Sequence, residues 1–99
     1  MNVTNMKSPR GNKVPNQFII RTNEGVYFQS YQSIIALIKN DGSVVLDDYY
    51  WDYSRTTGKY RNEFLMEGIE ETRKKIASGE YQLTLSLIHI SEPTRQSLI

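Results

Sequence analysis

Asp41-Gly42 lies between two short apolar runs, Ile34-Ile35-Ala36-Leu37-Ile38 and Val44-Val45-Leu46. No other feature constrains the chain as strongly. An Asp-Gly pair supplies the left-handed backbone that a tight hairpin turn needs, and the β-branched residues on either side suit a pleated surface. Upstream, Phe18-Ile19-Ile20 and Val26-Tyr27-Phe28 flank Asn23-Glu24-Gly25 in the same way, which predicts another hairpin. Ser30 to Ser33 reads either as a loop or as a strand continuation. Ser33 to Lys39 reads as a strand or as a short buried helix, because so few apolar residues carry no decisive period.

After Tyr53 the period changes. Tyr60 and Phe64 lie four apart, and Leu65, Ile69, Thr72 and Ile76 continue one helical face. Ser54, or Thr56 if the helix starts later, is the expected N-cap. Gly68 should kink the run or split it, and Gly79 should end it. Glu70 with Lys74 and Glu71 with Lys75 stand in the favoured acid-first order for ion pairs along a helix. Tyr81-Gln82-Leu83 adds a final short strand. Strands first and helices after imply an α+β domain: a small antiparallel sheet of hairpins over residues 17–47, then one kinked or two short helices over residues 55–78. Residues 1–16 are polar, with Lys7, Arg10 and Lys13 and little to bury, and are expected as a flexible segment in which Gly11 tolerates substitution. Residues 17–84 then form a single domain.

The end of the chain has a separate explanation. Leu85-Ser86-Leu87-Ile88-His89-Ile90-Ser91-Glu92-Pro93-Thr94-Arg95 resembles, codon for codon, the translated transposon end and primer site of a Nextera-type sequencing adapter. Gln96 to Ile99 fit the sample index and fixed bases that follow. The resemblance implies that residues 85–99 are adapter-derived and that the genuine chain runs to about Thr84. Pattern alone would read Leu83, Leu85 and Leu87 as a strand, and would offer His89, the one histidine, as a general base or metal ligand. Both readings are set aside.

Composition narrows the chemistry. Twelve Lys and Arg against eleven Asp and Glu give a net charge of +1, too balanced for a polybasic nucleic-acid binder, so any electrostatic site must be a local patch. With no Cys there are no disulfides, thiolate metal sites or cysteine nucleophiles. Ile34–Ile38, the longest apolar run, is too short to span a bilayer, and the chain is expected in the cytoplasm with no membrane partner. Gly58-Lys59 lacks the upstream glycine and the following Ser or Thr of a phosphate-binding loop. With no Cys, and no His outside the tail, general acid–base work would fall to carboxylates, Lys or Tyr. A non-enzymatic role without a cofactor is therefore expected.

Two constellations remain. Asp47, Asp48 and Asp52 could gather round a cation or act as a carboxylate pair in a small metal-dependent enzyme; equally, they are a solvated face. Between Trp51 and Arg61 the cations Arg55, Lys59 and Arg61 interleave with Trp51, Tyr53 and Tyr60 around Thr56, where a helix begins. Guanidinium groups and hydroxyls at such a point hold anions, and aromatic rings stack on bases or hold a peptide. The same residues also read as core anchors whose cations pair with Asp47, Asp48 and Asp52. The expected surface is Trp51, Tyr53, Arg55, Thr56, Lys59, Tyr60 and Arg61, and its partner a protein or a nucleic acid.

Three stretches stand out: Val14-Pro15-Asn16-Gln17-Phe18, Gly25-Val26-Tyr27-Phe28-Gln29-Ser30-Tyr31 and above all Tyr50-Trp51-Asp52-Tyr53-Ser54-Arg55-Thr56-Thr57-Gly58-Lys59-Tyr60-Arg61-Asn62. Phe64-Leu65, Glu71-Thr72-Arg73-Lys74-Lys75-Ile76 and Ser78-Gly79-Glu80-Tyr81 extend them. By these residues the chain from Val14 to Leu83 resembles a family of small bacteriophage and prophage proteins of unknown function. The resemblance implies a phage-derived protein acting inside a bacterial host, as an accessory binding module or an inhibitor of a host protein, its partner a host or phage protein or a nucleic acid. It supplies no activity and no site residues.

Overall fold

The computed structural model describes residues 1–85. The expected adapter-derived tail lies, but for Leu85, outside the described residues. Among the described residues six strands form one sheet in sequence order: β1 (Asn2–Lys7), β2 (Lys13–Arg21), β3 (Gly25–Ser30), β4 (Ser33–Lys39), β5 (Val44–Asp47) and β6 (Tyr81–Thr84). Helices α1 (Arg55–Leu65) and α2 (Ile69–Ser78) connect β5 to β6. The first five strands run antiparallel, and β6 lies parallel to β5. That geometry follows from the connection, since a parallel neighbour needs a crossover long enough to hold helices.

The Asp41-Gly42 turn forms as expected. Gly42 takes φ 91° and donates its N–H to the Lys39 carbonyl, while the Asp41 carboxylate accepts from the Ser43 amide and hydroxyl. Ser33–Lys39 is therefore a strand. Between β3 and β4 only Tyr31 and Gln32 turn the chain, with Tyr31 at φ 57°. Phe28 pairs with Ala36 and Gln29 with Ile34, so Ile35 is an extra, bulged residue. Fully buried, it joins Phe28, Ala36, Val44, Leu46, Tyr60 and Tyr81 in the main core.

That core lies between the sheet and the two helices. Phe64 of α1 stacks on Phe28 of β3 with ring centroids 5.6 Å apart, and Leu65 and Ile76 pack beside them. A smaller cluster of Tyr27, Leu37 and Val45 is built from the alternate strand positions, as the two-residue period requires.

Residues 1–16 depart from expectation. Instead of a loose segment they carry β1 and the start of β2, paired from Asn2 with Arg21 to Lys7 with Lys13. Ladder hydrogen bonds are made by backbone, which composition does not reveal, and only Met6 and Val14 reach the core. Gly11 is likewise not a free position. It has φ 83° in the β1–β2 turn and donates to the Ser8 carbonyl at 2.8 Å.

Gly68 splits the helical run, as its propensity suggests, and Met66 ends α1 at φ 60°. The junction is locked by Glu67, whose side chain is only 7% exposed. Its carboxylate accepts from Lys75 Nζ at 2.8 Å, the Thr72 hydroxyl at 2.6 Å and the Tyr81 hydroxyl at 2.9 Å. The expected partnership of Lys75 with Glu71 is thus displaced, because Glu67 is better shielded and shared by three donors. Burial alone would raise the Glu67 pKa, but these hydrogen bonds outweigh it and hold the carboxyl below its ordinary value. Burial and the same contact push the Tyr81 phenol up, and the Glu67 hydrogen bond raises Lys75.

This packing can be tested at two places. A Cβ on Gly25, at φ 147°, would run into the Ile38 carbonyl oxygen and lie 2.9 Å from the Lys39 Cα, whereas one on Gly42 or Gly11 meets nothing. Gly42→Ala and Gly11→Ala should each cost about 1 kcal/mol for their left-handed backbone, and Gly25→Ala considerably more. Equal melting temperatures for the three variants would contradict the assigned β3–β4 register. Because the folded state lowers the Glu67 pKa, its stabilisation is complete above the ordinary value of 4.5 and is lost as pH falls through the folded-state value. Glu67→Gln should therefore melt lower at neutral pH and show a shallower acid limb; parallel acid limbs would refute the three-donor lock.

Candidate functional site

Between β5 and α1 the chain makes a compact turn that the sequence builds from Asp47 onward. The buried Asp47 carboxylate accepts the Tyr49 and Tyr50 amides at 3.0 and 2.9 Å, its carbonyl accepts the Trp51 amide, and the Asp48 amide reaches the Thr84 carbonyl of β6. Ser54 then caps α1: its hydroxyl accepts the Thr57 amide and donates to Thr57 Oγ1, each at 3.1 Å. Thr57 is buried and hydrogen-bonded through the same hydroxyl to Ser30 of β3 at 2.9 Å. The helix start is fixed to the sheet.

Arg61 stands at the centre of this region. Its side chain is 1% exposed. Nη1 donates to the Trp51 carbonyl at 2.8 Å and to Asp52 Oδ1 at 3.0 Å, Nη2 donates to Asn62 Oδ1 at 2.9 Å, and the guanidinium lies 5.2 Å from the Trp51 ring centroid. Nε has no hydrogen-bond partner among the described residues. A buried cation is tolerated only when paired and hydrogen-bonded, and here the turn wraps around it to provide both.

The seven residues expected to form one surface therefore divide. Arg61 and Tyr60 are buried, and Trp51 is half-buried against the core. Tyr53, Arg55, Thr56 and Lys59 are exposed. An open depression of about 820 Å³ gathers Tyr53, Arg55 and Lys59 with Arg73 from the second helix, over a floor that includes Asp52 and Arg61. Arg73, 66% exposed, sits 3.6 Å from the second oxygen of Asp52. Among the described residues Arg55 and Lys59 form no ion pair; Lys59 lies 5.2 Å from the Tyr60 ring centroid.

Two residues of this surface went unnoticed in the sequence. Arg73 comes from the second helix, and no local spacing connects it to Arg55. Tyr49, 68% exposed, forms a ring cluster with Tyr50 and Tyr53: centroids are 4.7 Å apart for Tyr49–Tyr50, 5.3 Å for Tyr50–Tyr53 and 6.0 Å for Tyr49–Tyr53. The density of aromatic residues from Tyr49 to Tyr53 was the signal that could have revealed it.

Asp47, Asp48 and Asp52 do not converge. Asp47 organises the turn, Asp48 is exposed, and Asp52 is held by Arg61 and Arg73. No group of three potential metal ligands is brought together among the described residues, and no helix among them is long and apolar enough to cross a membrane.

Comparison with curated proteins and with solved structures gives no match. A family model does match, over residues 1–80, and so takes in β1, the whole Asp47–Asn62 segment and both helices. The chain belongs to the family of unknown function DUF8033.

Proposed function

We propose that this domain is a non-enzymatic accessory module of phage origin that binds a polyanionic macromolecule in the bacterial host, through the depression lined by Tyr53, Arg55, Lys59 and Arg73. One observation carries the reading. Arg55 and Lys59 share a concave surface and form no ion pair among the described residues, although carboxylates stand within the same lining. Cations left unneutralised beside one another are open to an external anion, and each contact releases a counterion, so binding weakens with salt. The first turn of α1 adds its free N–H groups to the same positive field. Phage origin and a host-cell setting are supported by the sequence resemblance, and the non-enzymatic part by the lack of Cys and of any His before His89.

Heparin, an immobilised polyanion, tests the reading without presupposing a partner. The wild-type domain should be retained at low salt, and the Arg55→Ser/Lys59→Ser double variant should elute at distinctly lower salt with an unchanged melting temperature. Lys74→Ser, on the exposed side of α2 and outside the depression, is the control and should elute near wild type. Failure of the wild type to bind, or equal elution of the double variant and wild type, would overturn the proposal.

A further inference from the structure

Beside the cationic depression lies a second feature that charge alone does not explain. Tyr49 and Tyr53 are 68% and 63% exposed, yet both rings are braced by Tyr50, which packs against the main core. Exposed aromatic rings held in place lose little conformational freedom when something stacks on them, and their faces accept any flat partner. Tyr53 itself lines the depression with Arg55, Lys59 and Arg73. Cations and π-faces therefore adjoin on one surface.

We infer that the bound polyanion is a single-stranded nucleic acid, its phosphates on Arg55, Lys59 and Arg73 and its unpaired bases stacked on Tyr49 and Tyr53. The inference rests on the polyanion reading above and names its ligand. Arg55 and Lys59 stand one helical turn apart, about 6 Å at Cβ, so they can follow a backbone of repeating charges. A protein partner fits less well. Interface cores are depleted of charge and rich in apolar side chains, whereas among the described residues Ile69 is the single aliphatic side chain in the lining of this depression. A duplex fits less well too, because its paired and stacked bases would leave the two tyrosine faces unused.

Labelled oligo(dT) and oligo(rU), the matching duplex and poly-glutamate, all at low salt, decide the matter. Both single strands should bind, the stronger of the two identifying DNA or RNA as the source, with a log–log salt slope of about 0.7 per phosphate contact. Tyr49→Ser, outside the lining of the depression, should weaken single-strand binding about tenfold while leaving heparin elution and melting temperature near wild type. Tyr49→Phe/Tyr53→Phe, which keeps both rings, should bind like wild type. Duplex binding as tight as single-strand binding, together with an unaffected serine variant, would overturn the stacking. Poly-glutamate binding as tightly as oligo(dT) would overturn it in favour of an acidic protein. If neither oligonucleotide binds although heparin retention depends on Arg55 and Lys59, this inference falls and the polyanion reading stands; a wild-type domain that heparin does not retain removes both.

Discussion

The burial of one guanidinium organises the functional end of this domain. Arg61 sits on α1 with almost no access to solvent, and a charge in that position is destabilising unless its donors find acceptors. The turn from Asp47 to Ser54 provides them: a main-chain carbonyl from Trp51, a carboxylate oxygen from Asp52 and the Trp51 ring face, with Asn62 completing the set from the helix itself. Because most of these acceptors come from consecutive residues, satisfying Arg61 fixes the path of the turn. Removing any one of them leaves a partly unpaired cation in the interior, a far larger penalty than the net worth of the contact.

From that fixed turn the rest of the surface takes its form. Asp52 is paired with Arg61 of α1 and lies 3.6 Å from Arg73 of α2, so both helices contribute to the lining of the depression. Ser54 and Thr57 tie the first turn of α1 to β3, and Tyr50 anchors the aromatic cluster to the core. Tyr49, Tyr53, Arg55 and Lys59 are left facing outward on this frame. In a chain of net charge +1, their cations stand one helical turn apart on a shared concave surface and form no ion pair among the described residues. A second anchor, the Glu67 carboxylate with donors from α2 and β6, closes the far end of the helical pair and keeps Arg73 in position.

Much of the fold is legible in the sequence, and the reasons are local. Asp41-Gly42 fixes its turn because only a residue free of Cβ crowding takes φ 91° easily, and Ser54 and Gly79 mark helix ends by chemistry that acts within one turn. Most of the misses depend on contacts between segments. β1 is held by backbone pairing that its polar side chains do not announce. Lys75 chose Glu67, eight residues away, over Glu71 because burial strengthened that contact. Of the seven expected surface residues, Tyr60 and Arg61 turned inward, since helical spacing puts Tyr60 on the same face as Phe64, while the destination of Arg61 depended on where Asp52 and the Trp51 carbonyl would lie. Arg73 joined the site through the packing of two helices, which no spacing along the chain records.

The buried guanidinium can be observed directly. In a nitrogen-edited proton NMR spectrum near neutral pH, Arg61 held by Trp51, Asp52 and Asn62 should show separate, slowly exchanging Nη proton resonances. Those of Arg55 should be averaged by free rotation and rapid exchange with water. Assignment would come from loss of the resolved set in Arg61→Lys. A spectrum in which Arg61 is averaged like Arg55 would contradict the account, because the turn would then have no buried charge to enclose and the exposed set would have no fixed frame.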